Sequence, residues 1–118
     1  MSIASSTIKI FGGAEAQQKL LAIMKDVAGW PRWDVDLKEI KPNPPPSGSS
    51  NDVLGTTGNL TMKTGQTFSF TINEVRESDY FMSYQTPLPG TVATWSCDWG
   101  KRVDKDSFDM TMGVKFEG

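Results

Sequence analysis

A short segment, WPRWD over residues 30–34, brings charged and aromatic side chains together. A carboxylate at the entrance of an apolar cavity can act as a general base, and a guanidinium can hold a carboxylate or enolate oxygen through two hydrogen bonds. We therefore predict catalytic roles for Asp34 and Arg32, with the Trp33 ring against the substrate. The alternative is structural: both charges are solvated at a helical turn, where Asp34 pairs with Lys38, and the tryptophans fill the core.

A second group of candidate residues consists of large side chains that strand alternation places on one face. A buried tyrosine hydroxyl needs a hydrogen-bond partner, which in a hollow sheet is a ligand oxygen, so Tyr84 is the third predicted catalytic residue. Methionines suit an adaptable apolar pocket. Together with Trp33, the predicted substrate-binding residues are Phe68, Phe70, Met82, Trp95, Trp99, Met110 and Met112. Ordinary core packing is the alternative for each of them.

The composition argues against several kinds of function. The chain has 118 residues and a net charge of −2, which suits one domain and gives no basic surface for nucleic acid. It has no histidine and one cysteine, Cys97, so we predict no metal site and no cofactor. A nucleophile activated by histidine is impossible. Acid–base chemistry must then use the remaining titratable groups or water.

The same composition bears on where the protein acts. No apolar run approaches the roughly 20 residues that a membrane span needs. The amino-terminal sequence lacks a charged segment followed by a long apolar stretch, so we predict no secretory signal. A single cysteine excludes an internal disulfide and fits a reducing compartment. We therefore predict a cytoplasmic protein.

Hydrophobic periodicity predicts the elements that position these residues. It indicates a strand at 5–11, a helix at 14–27, a short second helix at 30–34, a strand at 35–41, a solvent loop at 42–52, and strands near 53–63, 66–76, 79–86, 91–101 and 106–117. We expect Gln17 on the water-facing side of the first helix. The predicted class is α+β, with two early helices against an antiparallel sheet that has one apolar face, in a single domain over 1–118.

Three segments of the sequence resemble the START-like superfamily, also called SRPBCC or Bet v 1-like. They are MKDVAGWPRWDVDLKEI (24–40), with paired tryptophans before an acidic residue, GQTFSFTINEV (65–75), similar to a central hairpin strand, and TPLPGTVATW (86–95), with a Leu-Pro-Gly turn. The likeness is greatest to the polyketide cyclase/dehydrase and lipid-transport group. The resemblance implies a helix-grip fold, in which a curved antiparallel sheet encloses an apolar cavity.

The resemblance also implies a function. In a polyketide cyclase, the cavity fixes one folding of a linear chain, a base removes a proton, and a donor stabilises the oxyanion. Asp34 would be the base, and Arg32 and Tyr84 the stabilisers, without a cofactor. The lack of histidine favours lactone (pyrone) closure over aldol closure. The alternatives are a non-catalytic carrier or sensor of a lipid, sterol or quinone-like ligand, and a module that holds a partner protein.

Members of this superfamily continue into a long C-terminal helix that the sheet grips. This sequence ends at residue 118, where that helix would begin. The apolar face with Phe108, Met110, Met112 and Phe116 would then lack its usual cover, at a cost of several kcal/mol by roughly 25 cal/mol per Å². We therefore predict a homodimer in which two copies cover each other. The alternatives are that the first helix covers the sheet or that the sequence is part of a longer chain.

Overall fold

Strands dominate the computed structural model, which describes residues 2–43 and 53–117. The elements are β1 (Ser2–Phe11), α1 (Ala14–Lys25), a 3-10 helix (Val27–Arg32), β2 (Leu37–Pro42), β3 (Thr57–Met62), β4 (Thr67–Arg76), β5 (Phe81–Leu88), β6 (Thr91–Asp104) and β7 (Ser107–Glu117). The α+β class is confirmed. Most of the predicted loop at 42–52 lies outside the described residues, and the strand predicted from residue 53 begins at Thr57.

The seven strands form one antiparallel sheet in the order β1-β7-β6-β5-β4-β3-β2. Strands β1 and β2 are consecutive in sequence but lie at opposite edges, so the chain between them must cross the sheet. The crossing segment consists of α1 and the 3-10 helix, which therefore pack on one face of the sheet. Register shifts interrupt the pairing in β2, β4 and β6. Such bulges bend the strands that carry them, as the predicted curved sheet requires.

Alternating side chains separate the two faces of the sheet. In β4, Phe70 and Ile72 are buried while Ser69 and Thr71 are exposed. This is the period of two that the sequence predicts. The buried face carries the core, whose largest fully buried members are Trp99, Phe70, Phe108, Ile72 and Met82. Helix α1 contributes Leu21 and Met24 to the same core.

One side chain of α1 departs from the sequence prediction. Gln17 was expected to face water but is buried against β6. Its Nε2 donates to the Trp99 carbonyl at 2.9 Å, and the Trp99 indole donates back to the Gln17 carbonyl at 3.1 Å. The Arg102 guanidinium donates to the Gln17 Oε1 at 3.2 Å. Two of these bonds pair the buried side-chain amide, the third is accepted by the main-chain carbonyl, and together they fix α1 on β6.

The predicted uncovered face is covered over half its length. Phe108 is fully buried and Met110 nearly so, in the same cluster as the apolar residues of α1. Further along β7, Met112 is 40% exposed and Phe116 is partly exposed. The first helix therefore covers one half of the face, which was one of the alternatives, and no described residue covers the other half. Neither helix in residues 2–43 and 53–117 is long and apolar enough to cross a membrane.

Candidate functional site

The 3-10 helix places the paired tryptophans. Trp30 is buried, and its indole donates to the Met24 carbonyl at 2.9 Å. Its ring centroid lies 5.4 Å from that of Tyr84 and 6.4 Å from that of Trp33. The Trp30 carbonyl accepts the backbone N–H of Trp33 at 3.1 Å and of Asp34 at 2.9 Å. Trp30 is thus a core residue. The two hydrogen bonds to its carbonyl form a turn that places Trp33 and Asp34 beside the sheet.

Beside this turn lies a cavity of about 430 Å³. This volume is within the range of small-molecule sites. Its walls come from β1, α1, the 3-10 helix and the segment after it, and the strands β5, β6 and β7. The lining residues are Ala4, Ser5, Ser6, Met24, Trp30, Trp33, Asp34, Asp36, Met82, Tyr84, Trp95, Ser96, Cys97, Met112, Gly113 and Val114. The predicted apolar cavity is present, and its lining includes Met112, which lies in the exposed half of the β7 face.

A smaller cavity of about 130 Å³ adjoins the first on the side of β2 to β4. Four residues line both spaces, namely Asp34, Asp36, Tyr84 and Trp95. The Tyr84 and Trp95 rings are stacked, with centroids 6.3 Å apart and planes 22° apart. A carboxylate pair and an aromatic pair therefore form the shared wall of the two cavities.

The structure brings most of the predicted site residues together. Asp34 and Tyr84, both predicted to be catalytic, lie on the shared wall. Of the predicted substrate-binding residues, the larger cavity is lined by Trp33, Met82, Trp95 and Met112, and the smaller one by Phe68 and Trp95. Elements distant in sequence supply them, because the antiparallel ladder aligns Met82 with Cys97 and Cys97 with Met112.

Three of the predicted substrate-binding residues lie in the core. Phe70 and Trp99 are fully buried and Met110 is nearly so, and none lines either cavity. Phe70 packs against Trp30, with ring centroids 6.3 Å apart, and the Trp99 indole is engaged by α1. The alternation identified their face correctly, but the helix covers that part of the face.

Arg32 also lies apart from the cavities. Its side chain is 77% exposed, and its guanidinium pairs with the Asp26 carboxylate at 2.7 Å. Because the 3-10 helix turns between the two tryptophans, Arg32 faces solvent while Trp33 faces the sheet. The predicted guanidinium at the cavity entrance is replaced by a solvent-exposed ion pair, an interaction that typically contributes less than about 1 kcal/mol.

Asp34 is held without a cationic partner. Its Oδ1 accepts the backbone N–H of Asp36 at 3.0 Å, a local bond typical of aspartate at a turn. Among the described residues it forms no ion pair, so the alternative pairing with Lys38 is absent there. The carboxylate lies on the wall of both cavities, and no side chain in residues 2–43 and 53–117 pairs with its charge.

Tyr84 is a protonated hydroxyl in this environment. Burial, and secondarily the negative charge of Asp34, raise the pKa of Tyr84 well above its ordinary value. The phenol is therefore neutral at physiological pH and able to donate a hydrogen bond. Within residues 2–43 and 53–117 it has no hydrogen-bond partner. That leaves its donor available to a molecule in the cavity.

Two further polar groups line the cavities, one on the predicted residue Trp33 and one on Thr86, which was not predicted. The Trp33 indole N–H and the Thr86 hydroxyl are buried and lack a partner in the described part of the chain. Thr86 is 3% exposed and lines the smaller cavity. Buried polar groups without partners are uncommon and often indicate a missing ligand or water. The sequence could have identified Thr86, because it lies two residues after Tyr84 and therefore on the same face of the strand.

The remaining candidate for chemistry is the thiol of Cys97. Burial, and secondarily the charge of Asp98, raise the pKa of Cys97 to about 12. The thiol is therefore protonated near neutral pH and is a poor nucleophile. No group of three or more His, Cys, Asp or Glu side chains in the described ranges could hold a metal ion.

Solved structures share this fold. Norcoclaurine synthase from Thalictrum flavum, in complex with a transition-state analogue, aligns with a TM-score of 0.74 at 10% identity, over 98% of this chain and 75% of that chain. An aromatase/cyclase from a Streptomyces species aligns with a TM-score of 0.68 at 12% identity, over 98% and 67%. The protein XoxI from Bacillus cereus aligns with a TM-score of 0.68 at 14% identity, over 99% and 76%. No protein-family model matches the chain, and no curated protein matches it by sequence.

These likenesses establish the class of fold. The chain has the helix-grip fold that the sequence resemblance implied, in which a curved antiparallel sheet packs against helices, and the predicted fold class is confirmed. The similar proteins include norcoclaurine synthase and an aromatase/cyclase, and at 10% and 12% identity this likeness shows the fold and no specific activity. Function must be argued from the site, because one fold serves many activities.

Proposed function

We propose that this protein binds a linear, mostly apolar chain bearing carbonyl groups and directs its closure into a ring. The observation that carries the proposal is the wall shared by the two cavities, where the Asp34 carboxylate stands beside the protonated Tyr84 hydroxyl. A base and a hydrogen-bond donor on the wall of an apolar cavity are the two groups that such a closure needs. The aromatase/cyclase with the same fold supports this chemistry by analogy.

The proposed reaction proceeds in two steps. Asp34 takes a proton from a methylene flanked by two carbonyl groups, or from its enol. The resulting carbon or oxygen nucleophile attacks a second carbonyl carbon of the same chain. Tyr84 donates a hydrogen bond to the oxygen on which the negative charge develops. In aldol closure that oxygen regains the proton that Asp34 removed, and in lactone closure the thiol of a thioester leaves with it.

The cavity contributes by holding the chain in one folded arrangement. Confining a flexible chain removes the entropy cost of finding the reactive geometry, and it selects one ring among several. We propose that the walls that do this are Trp33, Phe68, Met82, Trp95 and Met112. Arg32 takes no part in this proposal, because its guanidinium is exposed and paired with Asp26.

A second candidate function is non-catalytic carriage of a hydrophobic ligand such as a lipid, sterol or quinone-like molecule. A specific observation favours it: none of the described residues that line the two cavities is Lys or Arg, so these walls supply no cation to stabilise an oxyanion. Binding needs only the apolar walls. The predicted cytoplasmic location is compatible with either function and stays a prediction.

Filling the larger cavity tests both functions at once. Met112→Trp puts a larger ring at a partly exposed wall position, so binding of a neutral naphthalene probe, followed by tryptophan fluorescence, is expected to weaken at least about tenfold. Ile23→Trp is the matched control, because Ile23 is an exposed apolar residue outside both cavity linings. Equal binding by both variants would contradict a ligand site in this cavity. A thioester of a linear poly-β-ketone then separates the functions, because a cyclase changes the product ratio and a carrier does not.

We also propose that a second copy of the chain covers the open half of the sheet. The support is an apolar surface near the cavity mouth, where Trp95 is 38% and Met112 is 40% exposed. Exposed apolar patches on soluble proteins commonly mark interfaces. Light scattering at micromolar concentration is expected to give twice the mass of one chain, 13.0 kDa. A mass of one chain at the highest soluble concentration would rule the homodimer out.

A further inference from the structure

The charges on the cavity walls are all of one sign. We infer that this site takes a ligand whose polar end is neutral or positively charged, and that it rejects anions. The inference rests on the proposed function, since it names the charge class of the ligand for the same cavities. Among the described lining residues, Asp34 and Asp36 are the only charged side chains.

No neighbouring cation neutralises these two carboxylates. Within the described ranges neither forms an ion pair. The nearest arginine in sequence, Arg32, is paired with Asp26. Lys63 donates its backbone N–H to the Asp36 carbonyl at 3.0 Å, but its ammonium group pairs with neither carboxylate. The negative charge at the shared wall therefore faces the cavities rather than a protein partner.

The field of Asp34 reaches the inner wall. Its negative charge is the second cause, after burial, that raises the pKa of Tyr84. An interaction that disfavours a phenolate on this wall also disfavours a carboxylate or phosphate bound against it. A ligand anion would add a third negative charge to a partly dry space. Rejection of anions is thus expected from the same negative charge that contributes to the raised pKa of Tyr84.

The cavity walls also carry groups that can bind a neutral or cationic polar end of a ligand. The Thr86 hydroxyl is 3% exposed and unpartnered in the described part of the chain, and the Trp33 indole N–H likewise has no partner. These groups can bind a carbonyl or hydroxyl oxygen without any charge. An ammonium group would lie near the two carboxylates and the faces of the Tyr84 and Trp95 rings, which attract cations. The inferred ligand therefore has an aromatic or aliphatic body and ends in an uncharged carbonyl or hydroxyl group or in an amine.

Three matched probes test this inference. The probes are 2-naphthylmethanol, 2-naphthylmethylammonium and 2-naphthoate, which share one ring system and differ in charge at pH 7. The ammonium is expected to bind at least about tenfold more tightly than the carboxylate at low ionic strength, with the alcohol between or equal to the ammonium. The difference is expected to shrink as sodium chloride is added, because salt screens partly exposed charges.

Paired variants assign the preference to the site. The double variant Asp34→Asn with Asp36→Asn keeps the turn, because the asparagine oxygen at position 34 can still accept the backbone N–H of residue 36. It is expected to abolish most of the preference for the ammonium over the carboxylate. Glu15→Gln removes an exposed charge in the first turn of α1, outside both cavity linings, and is expected to leave the preference intact. Binding of naphthoate as tight as that of the ammonium would overturn the inference, even with the proposed function upheld. If no probe binds, the proposed function fails and the inference falls with it.

Discussion

Replacing Trp99 with alanine is expected to lower the free energy of unfolding by about 3–5 kcal/mol. Trp99 is fully buried, and its ring packs against Tyr80 with centroids 6.1 Å apart. Removing it opens a large cavity and also leaves the Gln17 carbonyl, which accepts the indole N–H, without that donor. Since domains of this size are stable by roughly 5–15 kcal/mol, the loss is a large part of the total. Urea denaturation followed by circular dichroism measures it.

The matched control for this experiment is Trp95→Ala. Like Trp99, Trp95 is a tryptophan of β6, but it is 38% exposed and lines both cavities. Its removal is expected to cost about 1 kcal/mol of stability or less and to weaken binding of a naphthalene probe. The two variants therefore separate core packing from ligand contact. A Trp99→Ala protein of normal stability with impaired binding would show that the residue belongs to the site after all.

Much of the fold follows from short-range patterns in the sequence. Alternation in β4 and β7 identifies which side chains face the core, because a period of two is the direct consequence of strand geometry. The Gly12-Gly13 pair ends the first strand where the sequence predicts, and α1 begins at Ala14 as expected. The paired tryptophans and Asp34 come together at the cavity because one turn of helix joins them. These features depend on residues near each other in the chain.

Alternation could not distinguish the core from the cavity wall. Met110 and Met112 share a face of β7, yet one is buried under α1 and the other lines the cavity. The difference depends on where the helix crosses the sheet, which is a tertiary property. Gln17 illustrates the same limit, because its burial depends on the Trp99 carbonyl and Arg102, 82 and 85 residues away. A polar residue at the interface is predictable only when its partners are known.

The sequence also could not predict the direction in which the Arg32 side chain points. Spacing placed it between two tryptophans, but a 3-10 helix advances about 120° per residue, so neighbours point to different sides. Its partner, Asp26, lies six residues earlier and pairs with it because the chain turns between α1 and the 3-10 helix. The consequence for function is substantial. With the arginine in solvent, the charge at the cavity is negative and the hydrogen-bond donors are neutral.

Replacing Asp34 with asparagine is expected to slow ring closure by about 10²–10⁴-fold. The amide can still accept the Asp36 backbone N–H through its oxygen, so the turn and the binding of a neutral probe are expected to persist. It cannot take a proton from the substrate. The measurement is the rate of product formation from a poly-β-ketone thioester, together with the affinity for a neutral naphthalene probe.

Asp36→Asn is the matched control for this loss. Asp36 lines the same cavities and carries the same charge, but it is exposed, and its backbone N–H serves to hold Asp34. Its substitution removes an equal charge from the wall, so any effect of the electrostatic field alone will appear in both variants. We expect the rate to fall less than about tenfold, with the product ratio unchanged. If both variants lose activity equally, then Asp34 acts through its charge and not as a base. If neither does, ring closure does not depend on a base on this wall, and the proposed role of Asp34 is wrong.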